Sequence, residues 1–153
     1  MTLTFAEIAL IASMATNMQA DLDHEELICM ARNVYHEARG EDRSGQIAVA
    51  YLTLNRVESD RYPDTVCGVV TEDRGPKSND CQFSWWCDGK SDTPNDLEAY
   101  QNAIRISIEA MTGTVENPVP GATHYYAPKR VTPGWSYKLA EVAVIGDHRF
   151  MEE

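Results

Sequence analysis

Apolar residues recur with a helical period in the stretch that follows Asp23. Asp23 is a favoured helix N-cap, and Glu26 three residues later completes the pattern of a capping box. Gly40 supplies a stop signal. The sequence therefore predicts a helix between Asp23 and Gly40, with one apolar face. The positions on that face are Leu27, Met30, Ala31, Val34 and Ala38.

Two further segments carry the same period, residues 44–57 and residues 96–112. The later segment has Asn95 as its predicted N-cap with Glu98 three residues beyond it, and Gly113 ends it. Both segments are therefore predicted to be helices. Their expected inward faces are Ile47, Ala50, Tyr51, Leu54 and Val57 in the first and Leu97, Ile104, Ile108 and Met111 in the second.

The stretch between these two helices, residues 58–94, is irregular and rich in Pro, Gly, Asp and Ser. A stretch this long without periodicity usually carries function in a compact domain. After Gly113 the pattern changes to two short strands, residues 123–126 and 141–145. The expectation is a single α+β domain, predominantly α, with a small β element. Its predicted core draws on Leu27, Ala31, Val34, Ile47, Ala50, Leu54, Ile104 and Ile108.

Charge narrows the possible partners. Thirteen Lys and Arg residues against twenty-four Asp and Glu residues give a formal net charge of −11. Such a chain repels phosphate backbones and anionic membrane surfaces, so neither a nucleic acid nor a stable membrane association is expected. The same charge gives no electrostatic help in approaching an anionic cell wall. With 153 residues there is room for one domain, and we expect it to be a monomer.

The N-terminal segment, residues 1–22, leaves two interpretations open. Its apolar run is short, it has no basic start, and Glu7 interrupts it, which favours a helix packed on the body of the protein. An export signal is the alternative. In either case the catalytic domain is expected to comprise residues 23–153.

The cysteines predict at most one disulfide. Cys29 lies within the apolar pattern of a helix, where a small core residue is expected. Cys81 and Cys87 are the closest pair and could be linked outside the reducing cytoplasm, although the sequence does not fix which cysteines pair. The spacing typical of zinc ligands is absent from the sequence, so neither a metal nor a cofactor is expected.

Glu37 is the first candidate for chemistry. It falls about 20° from Met30 on the helical wheel, at the edge of the apolar stripe and near the end of its helix. Desolvation there raises a carboxyl pKa, and the negative end of the helix dipole acts in the same direction. A protonated glutamic acid is what cleavage of a glycosidic bond requires. The alternative is a charge bonded to the next loop.

Several segments resemble the SleB/CwlJ-type cell-wall hydrolases, the spore-cortex-lytic family, over residues 26–150. These segments are LICMARNVYHEARGE, SGQIAVAYLTLNRV, CQFSWWCDG, GATHYYAP, Pro-Gly-Trp at 133–135 and IGDHRF. The resemblance implies a fold similar to goose-type lysozyme and soluble lytic transglycosylases, with a glycan cleft and one essential glutamate, which maps onto Glu37. The family often has Gly before that glutamate, where this chain has His36.

The resemblance also implies the residues that bind the glycan. Gln82, Phe83 and Ser84 look like the segment that lines the cleft of related folds, where the amide bonds an acetamido group or orients water; the alternative for Gln82 is a loop amide bonded to backbone. Glu41 either supports Glu37 or bonds backbone amides. Asn55 and Arg56 are interpreted as structural. Aromatic and polar side chains expected to contact sugars are His124, Tyr125, Tyr126 and Trp135, with Trp85 and Trp86 as further stacking surfaces. Adjacent strand residues face opposite ways, so at most one of the two tyrosines should face the cleft.

The function predicted from these features is cleavage of peptidoglycan between N-acetylmuramic acid and N-acetylglucosamine by Glu37. A lytic transglycosylase is favoured over a hydrolytic muramidase, because no second carboxylate stands out. A phage or prophage lysin is the expected setting, acting from the periplasmic or extracellular side by a holin-dependent route. Alternatives are a bacterial wall-remodelling or spore enzyme, a wall-binding module without activity, a metallohydrolase, and a Cys–His peptidase or amidase using Cys81 with His124 or His148.

Overall fold

The computed structural model of the chain describes residues 4–15, 22–77 and 80–153. Its helices are α1 (Phe5–Ala15), α2 (His24–Ala38), α3 (Arg43–Val57), α4 (Val66–Val70) and α5 (Leu97–Thr112). Its strands are β1 (His124–Tyr126), β2 (Ala140–Ile145) and β3 (His148–Glu152), and short 3₁₀ turns lie at Ser84–Trp86 and Gly134–Lys138. The predicted α-rich α+β class is confirmed.

Helix α2 is the centre of the fold and packs against α3, α4 and α5. It is buried on nearly every side from Leu27 to Tyr35, so its polar residues Arg32 and Asn33 are also inside. The amphipathic pattern predicted a helix with only one buried face. In the structure α4 covers a face that a surface helix would expose. Every predicted core residue is buried except Leu54, which is partly buried.

The helix caps differ from the prediction in two places. Asp23 caps α2, but the carboxylate of Glu26 instead accepts hydrogen bonds from the backbone N–H groups of Val66 (2.6 Å) and Cys67 (3.0 Å), which begin α4. Helix α5 is capped by Asp96, whose carboxylate accepts from the Ala99 N–H at 3.0 Å. The predicted cap, Asn95, is instead bonded to Tyr35.

Two further expectations for the helices and their cysteines were wrong. Leu97, predicted to face inward, is 64% exposed because it occupies the first turn of α5 beyond the edge of the core. Cys29 is buried as expected, but it is not a free core residue: it forms a disulfide with Cys67 that joins α2 to α4. A second disulfide, between Cys81 and Cys87, is the pairing that the sequence favoured.

The sheet is antiparallel, with strand order β1-β3-β2. Its central strand, β3, was not predicted, since charged residues at 147–149 mask its short apolar part. A tight turn at Gly146, with φ +57°, joins β2 to β3. Tyr125 of β1 lies opposite Phe150 of β3. The sheet therefore presents Tyr125 to the end of α2, where Glu37 lies.

Helix α1 is held against the body by a buried ion pair. Glu7 is 4% exposed, and its Oε1 accepts from Arg32 Nη2 at 2.8 Å and from Arg32 Nε at 3.1 Å. Tyr100 of α5 donates to the same oxygen at 3.3 Å. Part of the predicted N-terminal segment, residues 1–3 and 16–21, lies outside the described residues. Within the described part of the chain, none of the helices has the length and apolarity needed to cross a membrane.

Candidate active site

Glu37 lies in the last turn of α2, where the helix meets the sheet. The chain turns sharply after Ala38, and the Glu41 N–H donates to the carbonyl oxygen of Ala38 at 2.9 Å. Ala38 is buried, which places the neighbouring Glu37 side chain at the rim of the core, partly buried. The carboxyl group thus faces a cleft on one side and the protein core on the other.

Tyr125 is the direct partner of Glu37. Its hydroxyl donates a hydrogen bond to Glu37 Oε2. The tyrosine ring is held by a stack on Phe150, with centroids 5.6 Å apart and planes 16° from parallel, and by an edge contact with His148 at 5.5 Å. Tyr126, its neighbour in β1, instead contacts Trp135 at 5.6 Å. Of the two tyrosines, Tyr125 is therefore the one beside the carboxyl group.

The surroundings of Glu37 raise its pKa. Burial is the largest cause, because it disfavours the charged carboxylate. The hydrogen bond from Tyr125 and the positive charges of Arg56 and His148 oppose the shift without cancelling it. Burial beside Glu37 also raises the pKa of Tyr125 well above its ordinary value, so the phenol keeps its proton and remains a donor. Glu37 is therefore suited to hold a proton and then to carry a stabilised negative charge.

Arg56 forms a buried support behind this pair. Its Nε donates to the Thr123 carbonyl oxygen at 2.8 Å, and its guanidinium carbon lies 5.0 Å from the ring centroids of both Tyr62 and Phe83. Phe83 is only 2% exposed, so the prediction that it contacts substrate was wrong: its ring serves the guanidinium and the core. Asn55, interpreted as structural, donates to the carbonyl oxygens of Val119 and Ala122, both at 2.8 Å.

The cleft consists of two adjoining depressions that share His36, Glu37, Arg39 and Arg130. The larger, of about 490 Å³, is completed by Tyr35, Ser84, Trp85, Asp88, Lys90, Ser91, Asp92, Thr93 and Asn95. The smaller, of about 240 Å³, is completed by Gly40, Glu41, Ala127, Lys129, Asp147 and His148. Because Glu37 lines both, a chain molecule lying along the cleft would pass over its carboxyl group.

One wall of the larger depression is organised by His36. Its imidazole stacks on Trp85, with centroids 4.5 Å apart and planes 19° from parallel. Its Nε2–H donates to the carbonyl oxygen of Asp92 at 3.0 Å, which ties the loop after the second disulfide to α2. Trp85 Nε1 in turn donates to Asn33 Oδ1 at 2.9 Å, inside the core. His36, which stands where the family often has glycine, thus holds Trp85 and the Asp92 loop together as one wall of the cleft.

Several predicted substrate contacts lie elsewhere. Gln82 lines neither depression, and its backbone N–H donates to the Glu72 carbonyl oxygen at 2.9 Å. His124, Tyr126 and Trp135 form an aromatic group of their own, with His124 and Trp135 centroids 5.1 Å apart, and none of the three lines either depression. The alternation of side chains along β1 sends His124 and Tyr126 to the face opposite Tyr125, where Trp135 packs against both.

Other predicted residues do lie on the cleft. Ser84 lines the larger depression, and Glu41 lines the smaller one, where its Oε1 is 3.7 Å from His148 Nδ1. Two residues of the cleft were not predicted from the sequence: Asp92, whose pKa is raised by desolvation in the cleft wall, and the exposed Arg130. Both lie in irregular segments, where the spacing of residues does not indicate which side chains face a site. Their only distinguishing feature in the sequence is that they lie near the aromatic motifs.

The disulfide between Cys81 and Cys87 brackets Ser84 and Trp85, and we expect it to matter more for substrate binding than for folding. Replacing both cysteines by Ala should cost about 2 kcal/mol of stability, since the closed loop is short. If the protein has the activity that its sequence predicts, the KM on purified wall should rise, because Trp85 loses its fixed position beneath His36. Steady-state kinetics with a urea titration of the same protein would check this. An unchanged KM would show that the core contact to Asn33 suffices.

Comparison with known proteins identifies the family of the chain. A family model described as Cell Wall Hydrolase matches residues 40–151, a range that begins three residues after Glu37. The spore cortex-lytic enzymes of Halalkalibacterium halodurans and Oceanobacillus iheyensis are 36% and 34% identical, each over 89% of this chain. The chain spans less than half of their length, 37% and 45% respectively.

Solved structures show the same relation. The catalytic domain of the germination-specific lytic transglycosylase SleB from Bacillus anthracis has a TM-score of 0.66 and 31% identity, covering 86% of this chain and 98% of that one. The SleB catalytic domain from Bacillus cereus gives 0.64 and 31%, covering 90% of this chain and 97% of that one. The predicted lysozyme-like fold and the resemblance to the SleB/CwlJ type are both confirmed. The chain belongs to the cell wall hydrolase family.

Proposed function

We propose that this protein cleaves the glycan strand of peptidoglycan between N-acetylmuramic acid and N-acetylglucosamine, with Glu37 as general acid and then general base. The observation that carries the proposal is the partly buried Glu37 carboxyl group, with its raised pKa, at the junction of the two depressions. The family and its SleB neighbours support the substrate class.

The first step is proton transfer. Tyr125 occupies Oε2 of Glu37, so Oε1 is the oxygen that carries the proton toward the glycosidic oxygen. As the bond from the muramic C1 to that oxygen breaks, the oxygen keeps the electron pair and takes the proton, and C1 acquires oxocarbenium character. The resulting Glu37 carboxylate is stabilised by the Tyr125 hydroxyl and by the charge of Arg56.

The second step releases the product. In the transglycosylase route the muramic residue's own 6-hydroxyl attacks C1, and Glu37 accepts its proton, which restores the acid and forms a 1,6-anhydro ring. This route needs one carboxyl group only. It is favoured because the nearest carboxyl groups on the smaller depression have partners of their own: Glu41 faces His148, and Asp147 is bonded to Lys129 at 2.7 Å.

A hydrolytic muramidase is the second candidate, and Asp92 is the observation that favours it. This carboxyl group lines the larger depression together with Glu37, where it could activate water. A Cys–His peptidase has no such support, because all four cysteines form disulfides.

The variants Asp92→Asn and Glu41→Gln distinguish the two glycan-cleaving routes. In the transglycosylase route neither carboxyl group reacts, so both variants should clear purified wall within about tenfold of the wild-type rate, whereas loss of an acid–base group costs about 10²–10⁴. We expect part of any loss in Glu41→Gln to come from stability, which thermal melting would reveal. A fall of a hundredfold or more in Asp92→Asn would instead assign the reaction to water activated by Asp92.

Replacing Tyr125 with Phe should shift the pH profile in a defined direction. In the wild type the hydrogen bond from Tyr125 stabilises the charged form of Glu37. Without that bond the Glu37 pKa rises further, and the acid stays protonated to higher pH. The alkaline limb of kcat/KM should therefore move to higher pH while the maximal rate falls about tenfold. A profile measured on purified wall would show this. If the alkaline limb did not move, the group that titrates there would not be Glu37.

The proposed setting is a phage or prophage lysin that reaches the wall by a holin-dependent route and acts as a monomer. The chemistry would be the same in a bacterial or spore enzyme, so the setting rests on genetic context. A gene beside phage structural genes or a holin would support the lysin, and a gene among germination genes would contradict it.

A further inference from the structure

Two arginines beside Glu37 in the cleft form no ion pair with any carboxylate that the structure describes. Six of the thirteen Lys and Arg side chains form ion pairs with described carboxylates. Arg39 and Arg130 form none with any residue that the structure describes, yet both line both depressions of the cleft. In a chain with a net charge of −11, unneutralised cations beside the reacting group call for an anionic ligand.

The position of Arg39 is fixed by its contacts. Its Nη1 donates to the Tyr35 hydroxyl oxygen at 2.6 Å, and its guanidinium carbon lies 4.8 Å from the Tyr35 ring centroid. The Tyr35 hydroxyl is itself anchored by donating to Asn95 Oδ1 at 2.9 Å. One edge of the guanidinium is therefore held by the protein, and the remaining N–H groups are available to a ligand.

The smaller depression is the half of the cleft where an anion fits. Its acidic side chains already have partners: Asp147 bonds Lys129 at 2.7 Å, and Glu41 faces His148 at 3.7 Å. Glu37 accepts from Tyr125, and burial raises its pKa. The larger depression differs, since it is lined by Asp88 and Asp92, which form no ion pair with the described residues and would repel an anion, although Lys90 also lines it.

We propose that the smaller depression is a subsite for a carboxylate carried by the side group of the muramic residue, with Arg130 and Arg39 as its ligands. This inference rests on the proposed function and deepens it. Every second sugar of the glycan carries a lactyl group, whose carboxylate is either free or linked to a stem peptide with carboxylates of its own. A guanidinium matches a carboxylate with two parallel N–H donors. The uncharged N-acetylglucosamine would then occupy the larger depression, beside His36 and Trp85.

The subsite predicts a substrate preference that Arg130 controls. Purified wall, and peptide-free glycan strands with free lactyl carboxylates, would each be compared with the same material after its carboxylates have been converted to amides. We expect the wild-type KM to rise about five- to twentyfold on amidation, with kcat little changed. Arg130→Gln should raise the KM on the charged substrate to a similar extent and remove the preference, and Arg130→Lys should keep part of it.

Arg105→Gln is the matched control. Arg105 is an exposed arginine of α5 that forms no ion pair with the described residues and lines neither depression, so its variant should keep the wild-type preference. A preference seen on peptide-free strands assigns the carboxylate to the lactyl group, and one seen on intact wall alone assigns it to the stem peptide. The subsite is overturned if Arg130→Gln discriminates as the wild type does. Cleavage would persist in that case, whereas failure of the proposed function would leave no cleavage of any substrate.

Discussion

Replacing Glu37 with Gln is expected to lower the rate of wall cleavage by about 10²–10⁴, the contribution of a general acid–base group. The substitution keeps the size of the side chain and an oxygen that can accept from Tyr125, but it removes the transferable proton. The clearing of purified wall would measure the loss. Asp92→Asn in the same cleft controls for removal of a carboxyl group as such. Near-wild-type activity of Glu37→Gln would mean that the active site has been wrongly assigned.

The same substitution should leave the protein more stable at neutral pH. Burial raises the folded-state pKa of Glu37 above 4.5, so the folded protein binds this proton at a higher pH than the unfolded chain does. The stability linked to that proton is fully present below about pH 4.5 and is lost as the pH rises through the folded-state pKa. Gln does not titrate. In urea titrations, the unfolding free energy of the variant relative to that of the wild type should be larger at neutral than at acidic pH.

The second large effect is expected at the far side of α2, where Glu7→Ala should cost about 3–5 kcal/mol of unfolding free energy. The substitution leaves the Arg32 guanidinium, 6% exposed, without its ionic partner. The matched control is Glu109→Ala, which breaks the exposed pair with Arg43 and should cost about 1 kcal/mol or less. Urea denaturation would measure both. If the two costs were equal, the Glu7 pair would not be what holds α1 in place.

Two further observations separate charge from packing at this pair. The double variant Glu7→Ala with Arg32→Met should recover much of the loss, because it removes the stranded charge as well. Burial acts to raise the Glu7 pKa, but hydrogen bonds from Thr4 and Arg32 outweigh it and hold that pKa below 4.5. The pair's contribution is therefore present above about pH 4.5 and lost as the pH falls through the lower folded-state value.

Local periodicity predicted α2, α3 and α5, whereas the choice of Glu37 as the acid also needed the family resemblance. The apolar spacing around Met30 located α2, and the same helical wheel placed Glu37 at the edge of the core, where its pKa rises. Periodicity could not show that α2 is enclosed on nearly all sides. That depends on α4, a five-residue helix too short to have a period of its own. Thr65 is its N-cap, and two more N–H groups of its first turn donate to Glu26 of α2, a long-range contact that looked like a local capping box.

The partners of Glu37 depend on tertiary structure. Tyr125 lies 88 residues away in sequence and reaches the carboxyl group only because β3 forms and sets the register of β1. The sequence motif that contains Tyr125 does not indicate that this residue, rather than its neighbours His124 and Tyr126, contacts Glu37. Arg130 lies in an irregular exposed segment, where charge at the sequence level indicates only a solvated surface.

Mass analysis of the soluble products from purified wall tests most directly whether Glu37 cleaves the glycan strand. We expect the wild type to form new glycan ends that carry 1,6-anhydro-muramic acid, one water lighter than reducing ends, and Glu37→Gln to form almost none. Reducing muramic ends would contradict the transglycosylase route. Clearing of the wall without new glycan ends, or the same ends at the same rate from Glu37→Gln, would show that Glu37 is not the group that cleaves the glycan.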